Sequence, residues 1–372
     1  MKIGVLTFHR AHNYGAVLQA YSLKTYLISL GHTVTFIDYW PDSHEEHYKL
    51  FSYSYFKRLN WKRKIKYFLS FLLSAYRKAN RRRGFIKFMH VYLNLSKRPK
   101  YKNNNFTIDE DIDLIIYGSD QIWRNHITSA QYTGFDPIYF CYNIPRDKIK
   151  LITYAVSMGI ININREEESF LKQVLNNYSV ILVRENSLKH SLSDLGFFAE
   201  VVLDPVFLLN MDEWNKILSS SNSIKEKYIL YYQLMPSDEG ELYAKKLSVD
   251  KGIKVIILTG AVLPFPHRNV LQTKNPLEFL QLIRDAEFVV STSFHGTAFS
   301  LIFEKQFYTL GLSKNNDRVL SLLSLVDLEC RYINNIHEII SNTNIEKIDY
   351  HRVKRLLGEN IKRSRLLLKN AL

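Results

Sequence analysis

The sequence has few cysteines, glycines and prolines. With two Cys, 14 Gly and 9 Pro among 372 residues, it excludes a disulfide framework, a four-cysteine zinc site, a collagen-like repeat and wholesale disorder. The two cysteines, Cys141 and Cys330, fit a reducing compartment. Hydrophobic residues make up 46% of the chain and charged residues 23%, as in ordinary globular proteins. A chain of this length is expected to form two domains.

Long apolar runs are also missing. In the most apolar helical stretch, the longest uncharged run is Tyr67 to Tyr76, about half of the roughly 20 residues that a spanning helix needs. The first residues of the chain pass directly into a strand pattern, without the apolar core of a signal peptide. We therefore expect a cytoplasmic protein.

Acidic residues are absent from one segment, which carries the whole excess of positive charge. Residues 49–102 hold 17 of the 50 Lys and Arg and none of the 36 Asp and Glu, so the remainder has 33 basic and 36 acidic residues. Part of this segment has apolar residues at helical spacing. These are Ile65, Phe68, Leu69, Leu72, Leu73 and Tyr76.

Two interpretations of this basic, aromatic helical insert, residues 49–105, stay open. It can lie on an anionic membrane surface through residues 49–102, with its cations on the head groups. The protein would then be peripheral on the inner face of the cell membrane. Alternatively, the apolar face packs on its own domain and the cations face water. The run Arg81-Arg82-Arg83 would suit nucleic-acid phosphates, but no nucleic-acid module surrounds it, so no nucleic-acid partner is expected.

Outside the insert, short apolar runs alternate with amphipathic stretches. Residues 2–8 and 33–38 indicate strands on either side of a helix, which is a βαβ opening. The alternation resumes at 113–117 and starts again at Tyr228 after a polar, serine-rich stretch. This predicts an α/β fold of two Rossmann-like, doubly wound domains with a cleft between them, where ligands sit at the carboxyl ends of strands.

The expected domain boundaries follow from that alternation. The N-terminal, acceptor-side domain includes the insert, and the C-terminal domain is the donor side. A final helix is expected to pack back on the N-terminal domain. The predicted ranges are 1–210 for the N-terminal domain, 211–226 for a linker, 227–348 for the C-terminal domain and 349–372 for the last helix.

The candidate site residues lie in polar loops after predicted strands, and familiar phosphate-loop, dinucleotide and zinc motifs are missing. In the loop 291–299, His295 could act as a general acid or a charge partner for phosphate. The start of the following helix, with Ser293, Gly296 and Thr297, would form an anion pocket. Alternatively, the histidine is buried against a carbonyl and the hydroxyls cap the helix.

Three other regions are candidates on the same grounds. Asp120, with Gln121 and Trp123 in the loop 118–123, either orients a hydroxyl and accepts its proton or caps a helix. The loop before the first helix combines a glycine, which permits close backbone approach, with polar side chains, although a plain turn would look the same. Its candidates are His9, Arg10, Asn13, Tyr14, Gly15 and Gln19. Arg184 could clamp an anion, or it could form an ordinary salt bridge. Arg318 could likewise clamp an anion, or it could lie at the surface.

Taken together, these loops resemble the polysaccharide pyruvyl transferase family. Six short pieces occur in the order and spacing of that family, and they span nearly the whole chain except the insert. They are N-Y-G-A-V-L-Q-A-Y at 13–21, G-S-D-Q-I-W at 118–123, V-R-E-N-S at 183–187, L-D-P-V at 203–206, S-T-S-F-H-G at 291–296 and D-R-V at 317–319.

The resemblance implies a fold like that of two-domain GT-B glycosyltransferases and transfer of a pyruvyl group from phosphoenolpyruvate to a sugar as a ketal. Arg184 matches a donor-binding Arg, and Asp120 matches a loop acid near the acceptor. Related branches have Arg-Leu-His where this chain has Ser293-Phe294-His295. Either Arg318 or Arg10 then replaces the missing Arg, or the donor differs.

The chemistry of such a donor fits these residue types. Phosphoenolpyruvate carries about three negative charges at neutral pH and needs more than one cation, for which Arg offers two-point binding. We hypothesise that His295 protonates the methylene carbon and that Asp120 accepts or orients the sugar hydroxyl. Phosphoenolpyruvate is a co-substrate, and neither a cofactor nor a metal is expected.

The acceptor is expected to be a sugar of a bacterial surface polysaccharide or of its lipid-linked precursor, such as an undecaprenyl-linked form. Two alternatives stay open. One is a GT-B sugar-nucleotide glycosyltransferase, which would also bind a diphosphate at a helix N-terminus with Arg. The other is a non-catalytic family member that scaffolds polysaccharide assembly through the insert.

Overall fold

The computed structural model of the chain describes residues 1–96, 98, 100–101, 108, 111–125, 134–141, 149–219, 224, 226–265, 269–311, 317–334 and 346–372. Parts of the predicted segments lie outside these residues. They are 97, 99 and 102–105 of the insert; 106–107, 109–110, 126–133 and 142–148 of the N-terminal domain; 220–223 and 225 of the linker; and 266–268, 312–316 and 335–345 of the C-terminal domain.

The N-terminal sheet has four parallel strands in the order β2-β1-β3-β4. The strands are β1 (Lys2–Leu6), β2 (Thr33–Phe36), β3 (Leu114–Tyr117) and β4 (Lys150–Thr153). A parallel pair, β5 (Leu182–Val183) and β6 (Glu200–Val201), continues from β4 through single bridges. Every residue of β3 is buried, as expected for a continuous apolar run in a parallel sheet.

Seven helices belong to the described part of this half or follow it directly. They are α1 (Tyr14–Ser29), α2 (Asp42–His47), α3 (Tyr53–Arg58), α4 (Trp61–Tyr92), α5 (Arg165–Leu175), α6 (Asn186–Asp194) and α7 (Met211–Asn215). The α1 helix begins at Asn13, whose side chain accepts a hydrogen bond from the Ala16 amide. The predicted linker starts with α7, and its Trp214 is fully buried between Tyr21 and Phe299.

The C-terminal sheet has six parallel strands in the order β9-β8-β7-β10-β11-β12. The strands are β7 (Tyr228–Gln233), β8 (Lys254–Thr259), β9 (Val270–Leu271), β10 (Phe288–Ser291), β11 (Gln306–Leu310) and β12 (Tyr332–Ile333). The helices between them are α8 (Asp238–Lys251), α9 (Pro276–Asp285), α10 (Phe294–Ile302) and α11 (Asp317–Ser324). The predicted α/β fold with two Rossmann-like domains is confirmed.

The last helix, α12 (Tyr350–Ala371), returns to the N-terminal half. The Ser364 hydroxyl accepts a hydrogen bond from the Leu203 amide at 3.0 Å, and the Arg363 guanidinium donates to Glu200 at 2.6 Å. These contacts tie the end of the chain to the segment that follows β6.

The insert divides into an exposed part and a packed part. Between Trp61 and Tyr76 only Ser74 is buried; we call residues 53–76, which include α3 and this half of α4, the arm. From residue 77 onward α4 packs across both halves of the molecule. The buried Arg81 guanidinium donates to the Tyr14 hydroxyl on one half and to the Thr259 and Gln272 carbonyls on the other. Among the described helices, none is long and apolar enough to cross a membrane.

The strand order locates the cleft. Each sheet has two adjacent strands from which the chain continues to opposite sides of the sheet. In the N-terminal sheet, β1 is followed by β2 on one side and β3 by β4 on the other. In the C-terminal sheet, β7 is followed by β8 on one side and β10 by β11 on the other. The loops at the carboxyl ends of such strands diverge and leave a crevice. The loops from both crevices face each other, and the candidate residues lie there.

Candidate active site

A cavity of about 330 Å³ lies between the two halves of the molecule. Its walls come from the loops after β1, β3, β7 and β10, from the region of α2, and from the start of α11. The lining residues are Phe8, Ala11, Asn13, Ala16, His44, His47, Tyr48, Asp120, Gln121, Arg124, Leu234, Ser293, Phe294, His295 and Arg318. Six of the predicted site residues line the cavity, together with the aromatic residues Phe8, Tyr48 and Phe294; the six are Asn13, Asp120, Gln121, Ser293, His295 and Arg318.

His295 reaches this cavity from the first turn of α10, at the carboxyl end of β10. Its Nε2 atom lies 3.6 Å from Oδ2 of the buried Asp204 and has no hydrogen-bond partner among the described residues. The other face of the ring lies on α1, where a Cβ atom added to Gly15 would come within 1.9 Å of Nδ1. The glycine predicted to allow close approach therefore accommodates the imidazole across the interface between the halves.

Arg184 follows β5 and lies behind Asp120 and Phe294, which both line the cavity. Its Nη1 atom donates to Asp204 Oδ2 at 2.7 Å, while Nη2 is 3.7 Å from Asp120 Oδ1 and Nε is 3.9 Å from Glu185 Oε2. Neither Nη2 nor Nε has a hydrogen-bond partner within the described chain. The guanidinium carbon stands 5.0 Å from the centre of the Phe294 ring.

The charges around Arg184 explain three pKa shifts. Burial acts to lower the pKa of Arg184, but the carboxylates of Asp204, Asp120 and Glu185 outweigh it and raise that pKa. Burial acts to raise the pKa of Asp204, yet His295 and Arg184 hold it well below its usual range. For Glu185 burial prevails over Arg184, so the pKa of this carboxyl is raised. Asp204 is thus firmly ionised.

Arg318 lies in the first turn of α11 and lines the cavity. Burial, followed by the positive charge of Arg184, lowers the pKa of Arg318 to about 10. Its guanidinium carbon is 5.9 Å from the centre of the Phe294 ring, the ring that Arg184 also contacts. Its Nε atom is without a hydrogen-bond partner in the described structure. Two neighbouring cations with unpaired donors, Arg184 buried and Arg318 half-buried, are suited to an oxyanion.

Asp120 occupies the loop after β3 and adopts a φ of 75°. This left-handed conformation is uncommon for a residue with a side chain and is concentrated at functional sites. Its carboxylate accepts a hydrogen bond from the Gln121 amide at 2.8 Å. Gln121, Asn13 and Ser293 also line the cavity.

Arg10 and His9 were expected at the site, but the structure places both elsewhere. Arg10 donates two hydrogen bonds of 2.5 Å to the Asp38 carboxylate, and His9 Nε2 lies 3.2 Å from the same group. Neither residue lines the cavity. Of the two cations that could replace the missing Arg, Arg318 lines the cavity, whereas Arg10 lies outside it and is paired with Asp38.

Five further predicted residues have structural roles instead. The Tyr14 ring stacks on Phe279 with centroids 4.5 Å apart. The other four contact neighbouring protein groups. Gln19 bonds Thr7, Trp123 donates to the Tyr139 carbonyl, Thr297 bonds the Ser293 carbonyl and Thr309, and Gly296 makes room for Ser291. None of the five lines the cavity, so their assignment to donor or acceptor binding stays a prediction.

Sequence reasoning missed Asp204, Glu185 and the aromatic wall formed by Phe8 and Tyr48. A signal existed for Asp204, since L-D-P-V directly follows β6 at the same sheet edge as the other loops. Glu185 directly follows Arg184, which was predicted. Tyr48 directly follows α2, and its position at the cavity depends on how that helix packs.

The comparisons with known proteins identify the family of the chain. The profile of the family described as polysaccharide pyruvyl transferase matches residues 13–314. The chain therefore belongs to the polysaccharide pyruvyl transferase family. Membership indicates a pyruvyl transferase that acts on a polysaccharide acceptor. No curated protein shows significant sequence similarity to the chain.

Several solved structures have a similar fold at low sequence identity. The UDP-GlcNAc 2-epimerase of Neisseria meningitidis bound to UDP-GlcNAc is 12% identical, with a TM-score of 0.48 and 100% of each chain covered. The glycosyltransferase SnogD of Streptomyces nogalater is also 12% identical, with a TM-score of 0.42 and 99% of each chain covered. The UDP-GlcNAc 2-epimerase of Methanocaldococcus jannaschii is 13% identical, with a TM-score of 0.46 over 96% of this chain and 99% of that one.

Proposed function

We propose that this protein transfers a pyruvyl group from phosphoenolpyruvate to a sugar of a bacterial surface polysaccharide or its lipid-linked precursor, with formation of a ketal. The observation that carries the proposal is the meeting of His295, Arg318 and Asp120 in one cavity, with Arg184 3.7 Å behind Asp120. Family membership gives the reaction class, and the unpaired cationic nitrogens supply the charge that an anionic donor requires.

Each residue has a defined part in this reaction. Arg318 and Arg184 bind the carboxylate and phosphate of the donor and fix its orientation. His295 delivers a proton to the methylene carbon, and Asp120 accepts the proton of the attacking hydroxyl. The same hydroxyl oxygen forms the bond to the central carbon. The second sugar hydroxyl then displaces phosphate and closes the ketal; its proton returns to His295, and the proton held by Asp120 leaves with the phosphate. We expect this chemistry to need neither a metal nor a cofactor.

Arg318 takes over the charge that Arg supplies in related branches at the position of Ser293. Both Ser293 and Arg318 line the cavity, whereas Arg10 is paired with Asp38. A guanidinium from α11 then reaches the site that a guanidinium at the start of α10 would occupy. This substitution keeps the number of cations and explains how the donor can be retained without the family triplet.

The decisive experiment is incubation with phosphoenolpyruvate and a panel of sugar and lipid-linked sugar acceptors. We expect acceptor-dependent release of phosphate and a mass gain on the acceptor equal to pyruvate minus water. His295→Ala should lower turnover roughly 10²–10⁴-fold, as for loss of a general acid. Release of a nucleoside diphosphate from a sugar nucleotide would instead favour a glycosyltransferase, and no binding of either donor would favour a scaffold.

We also propose that the arm holds the enzyme on an anionic membrane surface from the cytoplasmic side, where a lipid-linked acceptor would be present. Six apolar residues on its face are 46–75% exposed: Ile65, Phe68, Leu69, Leu72, Leu73 and Tyr76. Lys57, Lys62 and Lys64 lie close to aromatic rings of the same arm. Exposed apolar side chains among cations, with no acidic residue from 49 to 102, suit an anionic interface.

A further inference from the structure

Asp204 forms the only hydrogen-bonded ion pair that Arg184 makes in the described part of the chain. This carboxylate is buried, and both of its oxygens are in use. Oδ1 accepts from the Val206 amide at 3.1 Å and Oδ2 from Arg184 Nη1 at 2.7 Å, and the Ser119 hydroxyl, which donates to the Ala155 carbonyl at 2.7 Å, lies 3.4 Å from Oδ2. The same Oδ2 atom lies 3.6 Å from His295 Nε2. One oxygen therefore faces two of the proposed functional groups.

The two other acids near Arg184 stand just outside hydrogen-bond distance. Asp120 Oδ1 is 3.7 Å from Nη2, and Glu185 Oε2 is 3.9 Å from Nε. A guanidinium freed from Asp204 would move toward these carboxylates, because an unpaired buried cation is costly. That movement would occupy the two nitrogens that now have no partner and would pair the carboxylate proposed as the base.

We propose that Asp204 is a positioning residue, which holds Arg184 away from Asp120 and Glu185 so that its buried Nε and Nη2 atoms stay unpaired behind the cavity wall and can turn to an anionic donor when one binds. The same carboxylate lies 3.6 Å from His295 Nε2, beyond hydrogen-bond distance. Asp204 itself lines no part of the cavity and contacts no reacting atom. The proposal rests on the proposed function for the identity of the donor, but the placement of Arg184 can be tested without it.

A matched control occurs in the same domain. Asp38 is also a buried carboxylate that pairs with an arginine and faces a histidine, Arg10 and His9, and none of the three lines the cavity. Asp38→Asn removes a comparable ion pair away from the site. A purely structural role for Asp204 predicts that Asp204→Asn and Asp38→Asn behave alike.

The first measurement needs no ligand. The Nε–H resonance of Arg184, assigned by its absence in Arg184→Lys, should shift in Asp204→Asn as the group changes partner, and should stay in place in Asp38→Asn. An Arg184 resonance that is the same in wild type and Asp204→Asn overturns the proposal. If Asp204→Asn does not fold, Asp204→Glu keeps the charge but displaces the carboxylate, and the same shift is expected.

The second measurement is the affinity for phosphoenolpyruvate by calorimetry. Asp204→Asn should weaken binding roughly 10–100-fold, as removal of an outer partner of a binding group does. In an Arg184→Met background the same change should have little further effect, since the two act as one unit. Unchanged or tighter binding of phosphoenolpyruvate by Asp204→Asn would overturn the proposal, because the negative charge of Asp204 would then only repel the anionic donor. No binding by the wild type would contradict the proposed function, and the resonance would still decide the position of Arg184.

Discussion

The imidazole of His295 rests on the backbone of Gly15, so the proposed acid of the C-terminal half is seated on the first helix of the N-terminal half. A Cβ atom at position 15 would lie 1.9 Å from Nδ1 and 2.2 Å from Cγ. The position of the ring therefore depends on how the two halves meet. Gly15 is the second residue of α1, and its backbone φ is not left-handed. Its backbone conformation therefore does not require glycine, but the contact with the His295 ring does.

Gly15→Ala should displace the His295 ring and lower turnover on the order of 10²-fold, because small misplacements of reacting groups have effects of that size. Gly358→Ala is the matched control: it also lies in a helix, and an added Cβ there meets nothing within 4 Å. It should leave turnover unchanged and stabilise the fold by about 1 kcal/mol. Steady-state kinetics and thermal unfolding of both variants give the comparison. Normal turnover in Gly15→Ala would contradict the assigned role of the contact.

The sequence was most informative where local signals are strong. The alternation of apolar runs and amphipathic stretches located β1, β2 and β3, and its restart at Tyr228 coincides with the first residue of β7. Local signals also define α9, where Asn275 and Glu278 form a capping box and Pro276 occupies the first turn. Partners distant in sequence were not predictable: Asp38 pairs with Arg10 across 28 positions, and His295 meets Gly15 only through domain packing. Such contacts depend on tertiary structure, which no local pattern encodes.

Arg318→Met should weaken binding of phosphoenolpyruvate at least roughly tenfold, since it removes one charged hydrogen-bonding group from a buried anion site. Arg318→Lys should restore only part of the affinity, because an ammonium lacks the two-point geometry. Arg331→Met is the control, as this buried arginine lies near the Tyr308 ring at 5.5 Å and outside the cavity. Calorimetric titration measures all three. Equal affinities for Arg318→Met and the wild type would remove Arg318 from the donor site.

The arm should bind vesicles that contain anionic lipid and not purely zwitterionic ones, with binding that weakens as salt increases. The double variant Phe68→Ser, Leu72→Ser should reduce sedimentation with anionic vesicles. The paired control is Phe198→Ser, Val249→Ser, at residues 79% and 81% exposed outside the arm. Point variants are preferable to deletion of the insert, because Arg81 of α4 connects the two halves. No preference for anionic vesicles, or self-association through the arm instead, would refute membrane docking.

Acid should destabilise the fold through His12, whose ring lies among Trp40, Tyr48 and Phe85. Burial, and then the positive charges of Arg82 and Arg81, lower the pKa of His12 to about 3. The folded protein keeps this imidazole neutral while the unfolded chain takes up a proton below its ordinary pKa of 6.5. Stability is therefore lost as the pH falls from 6.5 toward 3, by on the order of 1 kcal/mol per pH unit.

His12→Phe keeps an aromatic ring in place and removes this proton uptake. Urea unfolding at pH 7 and pH 5 should show a smaller loss in the variant than in the wild type, and an equal loss would show that His12 does not contribute.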